Sequence, residues 1–144
     1  MKVCEIMTAG ARSVSPDVSL LVVAGIMRDL NVGSLPVCDH DRLAGVITDR
    51  DLTIRAIAEA RDMAGTPVSA VMSTEVVYAF EDQDVEDAVR LMEVKQVRRL
   101  PVLDHDKHLV GIVSLGDMAT EVSMHLSGEA LKEISQPGHG RTAT

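Results

Sequence analysis

The stretch Leu35-Pro36-Val37-Cys38-Asp39-His40-Asp41 returns as Leu100-Pro101-Val102-Leu103-Asp104-His105-Asp106, 65 residues further along the chain. Working outward, the same offset sets Val3 on Val68, Met7 on Met72, Asp17 on Asp82, Met27 on Met92 and Val32 on Val97. One extra residue near His108 moves the offset to 66, after which Leu43 matches Leu109, Gly45 matches Gly111, Thr48 meets Ser114 and Asp51 matches Asp117. Matches in this order mark an internal duplication, and a repeat settles the architecture before any single element does.

Each half reads alike. A short strand near Arg12 to Ser15 precedes an apolar stripe, Leu20, Val23, Met27 and Leu30, at helical spacing. Its copy uses Val85, Ala88, Val89 and Met92, and Ser19 and Asp84 stand where N-caps are wanted. Strands at Ser34 to Cys38 and Leu43 to Thr48 flank the polar turn Asp39-His40-Asp41-Arg42, with copies at Arg99 to Leu103 and Leu109 to Ser114. Pro36 and Pro101 lack a ladder donor, which predicts an edge or an irregularity there. Second helices begin near Asp49 and Leu115. A unit of about 60 residues buries too little surface alone, so the copies are expected to pack on each other about a pseudo-twofold axis. The result is an α+β fold with two small sheets: a first unit over 1–60, the connector Ala58 to Thr66, a second unit over 66–122 and a C-terminal helix or frayed tail over 123–144.

The chain has 144 residues, and 46% apolar and 25% charged content fit an ordinary globular protein. Aromatic residues make up only 1%, so the core is aliphatic. A net charge of −8 with no aromatic stacking platforms argues against nucleic acid as a partner. No apolar run reaches the roughly 18 residues of a membrane span, and the start lacks a signal-peptide pattern, so no membrane role and a cytoplasmic address are expected. Cys4 and Cys38 lack CxxC spacing and read as free thiols.

The densest chemistry lies at Gly45-Val46-Ile47-Thr48-Asp49-Arg50-Asp51 and Gly111-Ile112-Val113-Ser114-Leu115-Gly116-Asp117. In each, a strand runs into Thr or Ser with Asp three residues later at a helix start. One such motif is a plain capping box; its presence at both junctions of a duplication raises a ligand reading. A helix N-terminus offers free N–H groups and positive dipole to an anion, and a nearby carboxylate accepts both hydroxyls of a ribose. Phosphate needs cations, and Arg98-Arg99 supplies two where the first half has Gly33-Ser34. Strand alternation would set those two arginines on opposite faces, one solvated and the other pairing with surface acids, with phosphate as the alternative partner. Arg50 and Arg12 are further cations, and Val77, Val97, Ile47 and Ile112 could wall a base, with core packing as the alternative for each. Tyr78 is the one ring near a strand end able to stack.

Other chemistry is poorly supported. The five histidines are scattered, and the Asp-His-Asp turns resemble polar loops more than closed metal sites, so no metal is expected. Neither GxxxxGK[ST], GxGxxG nor GxSxG occurs, and nothing selects a catalytic triad. The eight Met residues sit largely on apolar stripes and read as core filler.

With these motifs the chain resembles the CBS domain family, whose tandem pairs are known as Bateman modules, over about residues 1–122. Arg99-Leu-Pro-Val102 and Gly111-Ile-Val-Ser-x-x-Asp117 look like the nucleotide-sensing γ subunit of AMP-activated protein kinase, and the whole looks like small stand-alone bacterial CBS-pair proteins. The resemblance implies β-α-β-β-α units with two clefts for adenosine-containing ligands such as AMP, ADP, ATP, NAD or S-adenosylmethionine. One cleft would set Asp117 on the ribose and Ser114 near the phosphate, with Arg12, Val32, Gly33 and Ile112 about the base. The other would use Asp51 and Thr48, with Val77, Val97 and Ile47 near the base. Arg98 and Arg99 match basic, phosphate-meeting positions, the first of which is usually His; Gly33-Ser34 lacks that pair, so unequal clefts are expected. The resemblance also implies a homodimer, no catalysis and a separate target protein. The alternatives are a ligand-independent interaction scaffold, or a redox or metal sensor built on Cys4 and Cys38.

Overall fold

The computed structural model describes residues 1–125, with side chains through residue 121, so the C-terminal helix or tail expected over 123–144 lies outside the described residues beyond 125. Strands β1 (Thr8–Ala9), β4 (Ala79–Phe80), β5 (Arg99–Leu103) and β6 (Leu109–Ser114) form one sheet in the order β1-β6-β5-β4. Strands β2 (Ser34–Asp39) and β3 (Arg42–Thr48) form the other. Helices α1 (Leu20–Leu30), α2 (Asp49–Asp51), α3 (Val85–Lys95) and α4 (Leu115–His125) complete the two repeats. Among the described residues no helix is long and apolar enough to cross a membrane.

The two-stranded sheet repeats the order of the larger one in reduced form. Val14 bridges Val37 in parallel and Ser73 bridges Val46 antiparallel, where the other half has β4 and β1. The strand expected near Arg12 to Ser15 is thus a single bridge. Val14 N–H donates to the Pro36 carbonyl at 3.0 Å, so the nitrogen of Pro36 also points away from β3, where no ladder asks it for a donor. The irregularity falls one residue later, with register shifts between Val37 and Cys38 and between Val102 and Leu103.

α1 and α3 form for the same reasons and stop in the same way. Ser19 Oγ accepts the Val22 N–H at 3.2 Å, and Leu20, Val23 and Met27 are buried. Asp84 stands at the N-cap of α3 without capping it; its carboxylate is held by Lys2 Nζ at 3.2 Å. Leu30, read as core from its spacing, is instead about half exposed. Asn31 (φ 55°) and Gln96 (φ 56°) end the helices in the left-handed conformation, and Val32 and Val97 donate back to the Met27 and Met92 carbonyls at 3.0 and 3.1 Å. The second helix of the first repeat is unequal to its copy: after one α-turn it continues as a π-helix over Leu52–Ile57.

The core has two clusters, and each contains residues of the other repeat's leading segment. Val68 and Val71 are buried with Leu20, Val23, Ile47 and Leu52 of the first half. Val3 is buried with Val85, Met92, Leu100 and Val113 of the second. Two glycines make this exchange possible. A Cβ on Gly45 would lie 2.7 Å from the Ser73 carbonyl oxygen and 2.9 Å from Met72 Sδ, and one on Gly111 would lie 2.8 Å from the Thr8 oxygen and 2.7 Å from Met7 Sδ. The hairpin tips also lace together: Leu109 N–H donates to the Asp41 carbonyl at 2.9 Å and Leu43 N–H to that of Lys107 at 3.2 Å.

Candidate functional site

The duplication sets two strand-to-helix junctions facing one cleft. At each, the loop after the left-handed helix cap is tied to the helix start: Asp49 N–H donates to the Gly33 carbonyl at 2.9 Å and Leu115 N–H to the Arg98 carbonyl at 2.8 Å. These bonds hold Val32-Gly33 and Val97-Arg98 at the mouth of the cleft. Its volume is about 960 Å³, and both junctions open into this one continuous space. That is at the upper end of what encloses a small ligand.

The cleft gathers Arg12, Val32, Gly33, Thr48, Arg50 and Val77 with Val97, Arg98, Arg99, Ile112, Ser114 and Asp117. Two residues expected there are elsewhere. Ile47 is fully buried in the first core cluster, because strand alternation turns Val46 and Thr48 toward the cleft and Ile47 away. The 66-residue offset already pairs Ile112 with Val46, not Ile47. Asp51 does not line the cleft either. Its Oδ2 accepts the Thr48 N–H at 3.0 Å while Thr48 Oγ1 accepts the Asp51 N–H at 3.0 Å, a complete capping box. At the other junction Ser114 Oγ accepts the Asp117 N–H at 3.1 Å, and among the described residues no return bond engages the Asp117 carboxylate.

Arg98 and Arg99 both face the cleft, contrary to the alternation argument, since β5 begins only at Arg99 and Arg98 still belongs to the loop. Neither pairs with a surface acid: among the described residues no ion pair engages Arg12, Arg50, Arg98 or Arg99. Four arginines against Asp49, Glu75 and Asp117 make the cleft locally cationic in a chain of net charge −8. Such unpaired guanidiniums are suited to phosphate. The apolar walls include Val32, Val46, Val77, Val97 and Ile112. Tyr78 is not among them; it packs edge-on against Phe80, centroids 5.5 Å apart, with Lys107 Nζ 5.9 Å over its ring. Neither Asp49 nor Glu75 is singled out by the sequence: Glu75 lies outside the matched motif, and Asp49 stands inside it at a position that does not repeat, Leu115 being its counterpart.

Away from the cleft, Asp104, Asp106 and His108 form the one trio among the described residues whose ligating atoms lie within 4.8 Å of one another. The Asp104 carboxylate is already used by its own turn, accepting the N–H groups of Asp106 and His108 at 2.9 Å each and approaching His108 Nδ1 at 3.2 Å. These bonds hold its carboxyl below the usual range, the His108 N–H contributing most. Cys4 and Cys38 are both free thiols, the first exposed and the second buried.

A fold of two interlocked β-α-β-β-α repeats around a shared cleft defines a Bateman-type pair, and comparison with known proteins gives the same answer. The family model for the CBS domain matches twice, over residues 3–57 and 68–123, and the chain belongs to this family. It is 44% identical over 132 residues to the CBS domain-containing protein YhcV of Bacillus subtilis, covering 91% of this chain and 93% of that one. Among solved structures it is similar to Hypoxic Response Protein I, a protein of Mycobacterium tuberculosis crystallised with two coordinated zinc ions, with 34% identity, a TM-score of 0.76 and coverage of 83% and 98% of the two chains. It is likewise similar to CBSX2 of Arabidopsis thaliana, solved in complex with AMP, with 28% identity, a TM-score of 0.75 and coverage of 86% and 97%.

Proposed function

We propose that this CBS pair is a non-catalytic regulatory module that binds an adenosine-containing ligand, AMP, ADP, ATP or NAD, in the cleft between its repeats. The observation that carries the reading is the second junction, where the Asp117 carboxylate, unengaged among the described residues, and the capping Ser114 hydroxyl share one cleft with Arg98 and Arg99. Asp117 holds the ribose diol, the arginines hold the phosphate, and Val32, Val97 and Ile112 enclose the base. The AMP complex of CBSX2 supports this class of ligand. The module works as a homodimer in the cytoplasm and acts on a separate target protein. The apolar side chains of Leu21, Val22, Ile54 and Ile57, 44–61% exposed, support the dimer, which light scattering would test. A ligand regulates only by binding two states unequally, so the target contact must differ between the free and occupied forms.

Calorimetric titration with AMP, ADP, ATP and NAD tests the reading. Binding at 100-fold excess over Kd stabilises a fold by about 2.7 kcal/mol, an evident rise in melting temperature. No heat and no thermal shift with any of the four would overturn it.

A further inference from the structure

The two ends of the cleft differ in charge at equivalent positions. Arg98 and Leu115 of the second repeat correspond to Gly33 and Asp49 of the first. The backbone joins both pairs in the same way, N–H to carbonyl at 2.8 and 2.9 Å, so the side chains start from equivalent places. Where the second half carries a guanidinium, the first half has no side chain, and the Asp49 carboxylate fills the space: its Oδ2 lies 3.0 Å from where a Gly33 Cβ would stand.

The Arg98 junction therefore carries the adjacent guanidiniums of Arg98 and Arg99, and the Gly33 junction carries the Asp49 carboxylate with Arg50 next to it in sequence. Asp51, the carboxylate that would meet a ribose at the first-half end, is consumed by its capping box.

Building on the nucleotide-binding reading above, we propose that the cleft takes one anionic nucleotide per chain, phosphate at the Arg98–Arg99 end, and that Asp49 is the specificity-determining residue that keeps a second phosphate out of the first-half end. A carboxylate beside an incoming phosphate repels it in a partly desolvated space, and Gly33-Ser34 offers no guanidinium where the other end has Arg98-Arg99.

Calorimetry with AMP on the intact chain decides this. Wild-type protein should take one equivalent, and the paired substitution Gly33→Arg with Asp49→Leu, which gives the first half the second half's residues at those two positions, should admit a second, weaker equivalent, because Asp51 stays in its capping box. Arg98→Ala with Arg99→Ala should weaken AMP about tenfold or more, whereas Arg50→Ala should leave the single equivalent in place. That second comparison stands even if the paired variant fails to fold. Two equivalents in wild type, a folded paired variant that stays at one, or loss of binding through Arg50 and not Arg98–Arg99 would each overturn the inference alone. No AMP binding by wild type would overturn the nucleotide reading along with it.

Discussion

The Asp51 carboxylate accepts the Thr48 N–H at 3.0 Å, and Asp117, its counterpart in the second repeat, makes no such bond to Ser114 among the described residues. One aspartate of the duplicated motif is therefore spent on the fold, and the other is available to a ligand. Asp51→Ala should cost about 1 kcal/mol of stability in urea unfolding and leave AMP affinity within about twofold. Asp117→Ala should do the reverse, weakening AMP by about tenfold or more with stability changed by less than about 0.5 kcal/mol. Equal effects of the two substitutions on either measurement would contradict the division.

Gly45 and Gly111 are needed because another backbone passes where a side chain would begin. Gly111→Ala should lower stability by about 1–3 kcal/mol, since its Cβ would sit 2.8 Å from the Thr8 carbonyl oxygen. Gly116→Ala, with nothing within 4 Å of the new atom in α4, should be neutral or stabilising by up to about 1 kcal/mol. Thermal melts of the two variants side by side check this.

The exchange of leading segments predicts where the chain can be cut. A fragment spanning 1–60 contains the first repeat as the sequence delimits it but lacks Val68 and Val71, which are buried in its core. A fragment spanning 10–74 contains both and lacks only the segment that serves the other half. Circular dichroism with urea titration should show a cooperative transition for 10–74 and none for 1–60; the opposite ranking would mean that the exchanged segments contribute little.

His105 Nε2 lies 2.7 Å from Asp82 Oδ2, and its ring stacks on Phe80 at 4.9 Å with planes 14° apart. The bond to Asp82, then its charge, raises the His105 pKa above the ordinary 6.5, while the same bond lowers that of Asp82 below 3.8. A raised histidine stabilises the fold fully below its unfolded pKa and loses that contribution as pH rises through the folded one. A depressed aspartate contributes above its unfolded pKa and loses this as pH falls through the folded one. The contact is thus strongest between about pH 4 and 6.5, and weakens above that window as His105 deprotonates. A proton NMR titration of the ring should give a midpoint above 6.5 that returns to the ordinary value in Asp82→Asn.

Burial raises the pKa of the Cys38 thiol, an effect that a hydrogen bond with Ser13 opposes only in part, and Cys38 is 8% exposed. Cys4 is exposed. Reaction with Ellman's reagent should release one equivalent quickly from the native protein and a second only on unfolding. Two fast equivalents would mean that the first hairpin opens readily.

Much of this molecule was legible because duplication lets each half proofread the other. Strands Arg99–Leu103 and Leu109–Ser114 match their expected limits, and α1 begins at the cap that Ser19 announces. The misplacements have physical causes. Ile47, which the resemblance sets near the base, is turned into the core by period-two alternation, the alternative its apolar side chain already offered. Arg98 was treated as a strand residue although the left-handed Gln96 keeps it in a loop. Asp84 has the right residue type and backbone for a cap, but Lys2, distant in sequence, takes its carboxylate. No local pattern announces the π-helix at Leu52–Ile57 or the exchange of leading segments. The one written trace of the exchange is that Met7 recurs as Met72 where Gly111 recurs as Gly45.

A lone repeat of this kind, released into water, would expose the apolar stripe of its leading segment and an open slot beside its glycine. The natural filler of that slot is the leading segment of a second identical molecule, and reciprocal filling yields a closed two-fold dimer whose formation depends on concentration. Joining the two copies through Ala58 to Thr66 makes that encounter intramolecular, at the millimolar effective concentration typical of a short tether. It also frees the two sites from being identical. Only after such fusion could the two ends come to differ, Arg98 and Leu115 standing at one and Gly33 and Asp49 at the other.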